Sequence, residues 1–232
     1  MKLSVVIPFY NEENMIQKMY DELVKEINQI TKAEFEIIFI NDGSKDRTFE
    51  RMLAIAAGDS RVKYISFSRN FGKEAGTIAG LEYATGEAVI LMDGDLQHPP
   101  AMLPQMIEAY EQGYDVVSAR RTRTGEKPHR TFLAKHFYKL ANKMMDIELM
   151  DGVSEFRLFS RKVVNAIISM QEYNRFSKGI FAWIGFNEKV IEYENQVRTV
   201  GETKYSLKFS LNYAIQGILS FNDKPLRMSI NF

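Results

Sequence analysis

Residues 88–100, AVILMDGDLQHPP, run five apolar residues into two aspartates one residue apart and then into two prolines. A run that is apolar at every position has no solvent face. It reads as a strand buried on both sides, as in a parallel sheet covered by helices. The acids then stand where that strand leaves the sheet. Aspartates in a turn are first of all turn chemistry, because Asp hydrogen-bonds its own backbone two residues on. Two hard carboxylates at the mouth of a central strand also suit Mg²⁺ or Mn²⁺, which bind through one or two carboxylates plus substrate phosphates. A calcium loop does not fit: counting from Asp93, the sixth position is His98 rather than Gly and the twelfth is Pro104 rather than Glu.

The chain on either side repeats the alternation. LSVVIP (3–8), FEIIFI (35–40), VKYISFS (62–68) and DVVSA (115–119) read as further strands. In EENMIQKMYDELVKEINQI (12–30), Met15, Met19, Leu23, Ile27 and Ile30 recur at helical spacing, with Asn11 expected as the N-cap. DRTFERMLAIAA (46–57), GKEAGTIAGLEYATG (72–86) and PPAMLPQMIEAYEQG (99–113) supply the intervening helices. Gly72, Gly76 and Gly80, four apart, are expected to pack a helix on the sheet. The pattern predicts an α/β domain with a mainly parallel sheet. PFYNEE, NDGSKDRT, SRNFGKE, DGDLQ and RRTRTGEK each follow a strand, so five polar loops converge on the crevice beyond the carboxyl ends, where open sheets bind ligands.

Past residue 121 the rhythm changes. Residues 122–130 read as a basic loop, and 131–145 and RKVVNAIISM (161–170) as helices flanking SEFRLFS (154–160). NEKVIEYENQV (187–197) alternates like a strand, and residues 206–221 form an amphipathic helix with Lys204 and Lys208 at its start.

Lys+Arg and Asp+Glu are equal at 30 each, so no overall field favours nucleic acid. The absence of cysteine excludes disulfides and thiolate metal sites. No apolar run of membrane-spanning length occurs, and no export signal is evident. G-x-x-x-x-G-K-[ST], G-x-G-x-x-G and H-E-x-x-H are missing. His98, His129 and His136 therefore read as surface or structural residues. Asp42 is either a turn acid or an acceptor for a ribose or base. Lys73 is either solvated or a diphosphate contact. Arg120, Arg121, Arg123 and Arg130 are either a solvated loop or a phosphate clamp.

In order along the chain, VVIPFYNEE, INDGSKDRT, SRNFGKEAGTIAGLEYATG, VILMDGDLQHPP and FRLFSRKVV resemble glycosyltransferase family 2, the inverting GT-A type. More narrowly they are similar to polyprenyl-phosphate glycosyltransferases, such as bactoprenol glucosyltransferases and dolichyl-phosphate mannose synthases. The resemblance covers nearly the whole chain. It implies the GT-A nucleotide-diphospho-sugar transferase fold over residues 1–205. An amphipathic juxtamembrane segment, 206–232, follows, with transmembrane helices expected beyond Phe232 in the full-length protein.

The resemblance also implies a nucleoside-diphosphate sugar bound by Pro8, Tyr10, Glu12, Asp42, Lys73, Asp93, Gly94, Asp95 and Gln97. Asp93, Asp95 and Gln97 would hold Mg²⁺ or Mn²⁺ on the donor diphosphate. Asp95, Arg120, Arg198 and Glu155 are the implied catalytic set, the arginines on phosphates. Ser154 and Glu155 stand where the family often reads Gly-Asp, and the added methylene lengthens the acid's reach. The implied activity is inverting hexose transfer from a donor such as UDP-glucose or UDP-N-acetylhexosamine to undecaprenyl phosphate, at the cytoplasmic face of the cell membrane. A homo-oligomer is left open, and no nucleic acid is expected.

A family 2 enzyme acting on a sugar or protein hydroxyl, or a non-catalytic sugar-nucleotide module, is the alternative. A processive polysaccharide synthase would carry Q-x-x-R-W, yet the only tryptophan, Trp183, lies in FAWIGF. A nucleotidyltransferase would place a Gly-rich, Arg-containing loop where this chain has PFYNEE.

Overall fold

The computed structural model describes residues 1–122, 142, 150, 152–170, 172, 175–194 and 220. Strands β1 (Lys2–Phe9), β2 (Glu34–Asn41), β3 (Val62–Ser66), β4 (Ala88–Leu91), β5 (Val116–Arg121), β6 (Val153–Ser160) and β7 (Glu188–Tyr193) form one sheet in the spatial order β3-β2-β1-β4-β6-β5-β7. Neighbours are parallel except at β6, which runs antiparallel to both β4 and β5. This is the mainly parallel, helix-flanked α/β sheet expected of the GT-A fold.

Helices α1 (Ile16–Ile27), α2 (Thr48–Gly58) and α4 (Leu103–Glu111) cover one face of the sheet. Helices α3 (Lys73–Tyr83), α5 (Arg161–Ser169) and α6 (Ser177–Trp183) cover the other. Successive strand residues feed opposite cores: Leu3, Val5, Ile7 and Phe9 of β1 pack toward α1, while Val6 packs toward α3. In β4, Ala88 and Ile90 point one way and Val89 and Leu91 the other, and all four are buried. That two-sided burial is why the strand is apolar throughout.

Glycine at position 80 lets α3 lie against β1, since a Cβ there would sit 2.1 Å from Val6 Cγ1. Gly76 has ordinary clearance, and Gly72 lies before the helix at φ 95° with open space around it. Gly80 and Gly76, the latter facing Pro8 and Ile40, thus pack the helix on the sheet as expected, the closest approach being at Gly80, while Gly72 does not take part.

The expected cap of α1 is corrected. Asn11 is not its N-cap; it adopts φ 51° four residues before Met15, which occupies that position without a side-chain bond. The Glu12 carbonyl instead accepts the amides of Met15 and Ile16 at 2.9 and 3.1 Å. Asn11 is thereby freed to bind the loop after β2. Helix α6 was not expected, because seven residues are too few to display a helical period.

At the amino end of the sheet, Glu36 is buried at 3% exposure. It accepts from Ser4 Oγ at 2.5 Å, Thr85 N at 2.5 Å and Lys63 Nζ at 2.8 Å. Burial alone would push this carboxyl up, but Lys63, Ser4 and Thr85 hold it well below the usual range.

The basic loop over 122–130, with Arg123, His129 and Arg130, the helix over 131–145 with His136, and the helix over 206–221 lie outside the described residues, Thr122, Asn142 and Ser220 apart. So do Arg198 and the expected boundary between residues 205 and 206.

Candidate active site

Hydrogen bonds lace the loops at the carboxyl edge to one another. From the loop after β1, Asn11 N donates to Ser44 Oγ at 3.0 Å, Glu12 N to Thr48 Oγ1 at 2.8 Å, and Asn11 Oδ1 accepts from Lys45 N at 2.8 Å. From the loop after β2, the Asp42 carboxylate accepts from Phe71 N at 2.7 Å, Asn70 Nδ2 at 2.9 Å and Gly72 N at 3.0 Å. Those donors belong to the turn that launches α3, so Asp42, 3% exposed, anchors the segment presenting Lys73. Burial raises the Asp42 carboxyl, and the Phe71 and Gly72 amides oppose the rise only in part. Pro8, Tyr10 and Glu12 lie at or just beyond the end of β1, each partly exposed on the same edge.

Lys73 is the hub. Its Nζ lies 2.5 Å from Asp93 Oδ1 and 2.6 Å from Glu155 Oε2. Strand register explains the meeting: Leu91 pairs with Arg157 across the antiparallel β4–β6 ladder, so the residue two past Leu91 faces the residue two before Arg157. Burial disfavours the ammonium, yet Asp93 and Glu155 outweigh it and hold the lysine well above its ordinary range. Burial likewise pushes Asp93 up, and Lys73 wins, leaving that carboxyl depressed. Glu74, which accepts Ser177 N at 3.2 Å, is raised by burial and by the charge of Glu155.

The DGDLQ turn is tightly built. Asp95 Oδ1 accepts Gln97 N at 3.1 Å, and Oδ2 accepts Gln97 Nε2 at 2.9 Å. Gly94 lies under the Phe9 ring, where a Cβ would come within 2.3 Å of Cε1. Leu96 sits at φ 58°, left-handed backbone that costs a branched residue about 1–2 kcal/mol. Such strain persists only where surrounding contacts over-determine it, and it clusters at functional sites.

The donors fit a hard cation in kind. Asp93 and Asp95 offer carboxylate oxygens and Gln97 an amide carbonyl. Among the described residues no three His, Cys, Asp or Glu side chains form an all-protein cage. That set suits a cation that completes its shell with substrate phosphate. Of the acids Glu74, Asp93, Asp95 and Glu155, the Lys73 ammonium already bridges two, Asp93 and Glu155, while Lys178 also acts on Asp93 and Arg157 on Glu155.

Arg120, at the end of β5, is turned onto β7, where its Nε and Nη2 both meet Glu192 Oε1. Arg157, of the FRL segment, is a buried structural cation, 3.2 Å from Glu188 and over the Phe181 ring.

Of the two readings open for His98, surface or structural, the structural one holds. His98 is 5% exposed and accepts the Asp93 amide on Nδ1 at 3.1 Å. Its place five residues past Asp93, before two prolines, was the available signal.

Residues 4–168 match the model of Glycosyl transferase family 2. The Bacillus subtilis protein CsbB, described as a glycosyltransferase, is 50% identical over 226 residues, 97% of this chain and 68% of its own length. A prophage bactoprenol glucosyl transferase homolog of Escherichia coli is 43% identical over 229 residues, 98% of this chain and 74% of its own. Among solved structures, the Mycobacterium tuberculosis glucosyl-3-phosphoglycerate synthase with Mn²⁺, UDP-glucose and phosphoglyceric acid aligns at TM-score 0.58 and 20% identity, covering 94% of this chain and 77% of that one. This last likeness is one of fold.

Proposed function

The chain belongs to glycosyltransferase family 2, and on that premise we propose that it moves a hexose from a nucleoside-diphosphate sugar to a polyprenyl phosphate, with inversion. The observation that carries the acceptor is the 42–43% identity, over 98% of this chain, to proteins named bactoprenol glucosyl transferase. The donor would lie across the laced loops, its nucleoside toward Pro8, Tyr10, Glu12 and Asp42 and its diphosphate toward Asp93, Gly94, Asp95 and Gln97. Mn²⁺ or Mg²⁺ held by Asp95 and Gln97, with Asp93 beside them, would neutralise charge on the departing nucleoside diphosphate.

Geometry at Glu155 favours a phosphate acceptor. A hydroxyl nucleophile must lose a proton as it attacks and needs a carboxylate or imidazole to take it. Here the Glu155 carboxylate is held against the Lys73 ammonium. A phosphate monoester, with a second pKa of about 6, already offers an anionic oxygen at neutral pH. The protein's task is then to hold two polyanions together for in-line displacement at the anomeric carbon. Lys73 is placed for the diphosphate; Arg120 serves the acceptor phosphate by exchanging Glu192 for it, with Arg198 as a second cation.

Action on a lipid carrier would put the reaction at a membrane surface, on its cytoplasmic side. No helix among the described residues is long and apolar enough to cross a membrane. The amphipathic 206–232 segment would supply the contact, Leu207, Leu211, Ile215 and Leu219 facing lipid and Lys204, Lys208, Lys224 and Arg227 facing anionic headgroups.

The test is incubation with a panel of labelled nucleotide sugars and undecaprenyl phosphate, followed by organic extraction. Label in the organic phase from one donor supports the reading. Transfer only to a hydroxyl acceptor overturns it.

A further inference from the structure

We propose that His98 is a positioning residue for the cation-binding turn, holding the Asp93 amide through Nδ1 so that Asp95 and Gln97 present their oxygens together. The proposal rests on the reading that Asp95 and Gln97 hold the divalent cation. The ladder from β1 ends with Met92 N on Val6 O at 3.1 Å. The next amide, that of Asp93, turns away from the sheet and donates to His98 Nδ1 at 3.1 Å. A nitrogen that accepts carries no proton, so the ring is the neutral form with its hydrogen on Nε2. Nε2 in turn lies 3.8 Å from Asp93 Oδ2. That distance is beyond hydrogen-bond range, so the ring's bond to this aspartate is the one to its backbone amide.

The imidazole is itself fixed from two sides. It stacks on Phe156 at 5.3 Å between centroids and 15° between planes, and Phe156 is fully buried on β6 next to Glu155. Pro99 follows, and a residue before proline is confined to extended backbone, which limits where the ring can go. Between the two anchored ends, Asp93 and His98, lies the turn with Leu96 at φ 58°. Without the Nδ1 acceptor the Asp93 amide loses its partner, and the left-handed turn loses the bond that joins its two ends.

Two substitutions separate positioning from packing. His98→Phe keeps an aromatic ring on Phe156 and removes the acceptor. His98→Asn places a carbonyl oxygen near the Nδ1 position and gives up the stack. Binding of Mn²⁺ in the presence of UDP, read from the electron paramagnetic resonance of free Mn²⁺, is measured beside thermal melting without metal. The parent is expected to bind. His98→Phe should melt within a few degrees of the parent and bind Mn²⁺ at least tenfold more weakly, while His98→Asn recovers most of the affinity at lower melting temperature. Parent-like binding by His98→Phe overturns the proposal, as does equal loss of affinity in both variants. Should His98→Phe fail to fold, the contrast between Asn and Ala at this position decides in the same way. Failure of the parent to bind, or parent-like binding by Asp95→Ala, removes the cation reading and this proposal with it; a change of outcome confined to the His98 variants concerns His98 alone.

Discussion

Lys73 Nζ lies 2.5 Å from Asp93 Oδ1, so an acid of the proposed donor site is already neutralised by a lysine from the first turn of α3. The same ammonium reaches Glu155 at 2.6 Å and joins β4 to β6 through charge. Removing it leaves two partly buried carboxylates face to face. Lys73→Met is expected to lower stability at pH 7 by about 2 kcal/mol, less than the ~3–5 of a fully buried pair because Lys73 and Asp93 keep some solvent. Asp93 is depressed in the folded state, so its contribution is present above the unfolded carboxylate pKa of about 3.9 and is lost as pH falls through the folded value. Urea denaturation should show the gap between variant and parent narrowing below about pH 4. A gap that stays constant would mean the pair contributes nothing.

Asp95 accepts both the amide and the side-chain nitrogen of Gln97. Asp95→Ala should reduce Mn²⁺-dependent turnover by about 100-fold or more, the scale of a lost electrostatic group at a developing charge. Melting without donor should shift by only a few degrees. Full activity in excess chelator would remove the metal role.

Glu155 and Arg120 should respond differently. Glu155→Gln keeps an oxygen for Lys73 and is expected to slow transfer to undecaprenyl phosphate only about twofold to fivefold. Arg120→Ala, which removes a guanidinium fork suited to phosphate, should slow it by more than about tenfold. Initial rates at saturating nucleotide sugar compare the two. Near-total loss in Glu155→Gln would point to a general base and a hydroxyl acceptor.

Gly94 has no room for a methyl group, because Phe9 is pinned edge-on to Phe39 at 5.3 Å between ring centroids. Gly94→Ala is expected to cost about 1–3 kcal/mol as overpacking and to raise KM for the nucleotide sugar, since the turn must lift off the ring. Calorimetry and donor titration check both halves.

Glu36 lies far from the crevice, yet its carboxylate is depressed by Lys63, Ser4 and Thr85 against the effect of burial. A depressed carboxylate contributes stability above its unfolded pKa of about 4.3 and loses it as the pH falls through the folded value. Glu36→Gln should destabilise by about 2 kcal/mol at pH 7, with a difference that shrinks in acid and no change in KM. Guanidinium melts at pH 7 and pH 3 read it.

The sequence alone determined the alternation of strands and helices, because two-sided burial demands runs such as AVILM and one-sided burial demands the spacing of Met19, Leu23 and Ile27. It also determined where polar loops leave the sheet, and so which edge carries the candidate site. It could not tell which acids meet, since pairing depends on strand direction. Only the antiparallel insertion of β6 between β4 and β5 brings Glu155 to Asp93 and Lys73 between them. The same holds for His98, whose burial against Phe156 is a contact between distant segments with no local period, and for Glu36, a charge in a central strand whose donors come from β1, β3 and the residues after α3. Local pattern is set by burial along one element, whereas ion pairs and hydrogen bonds are set by which elements the fold places side by side.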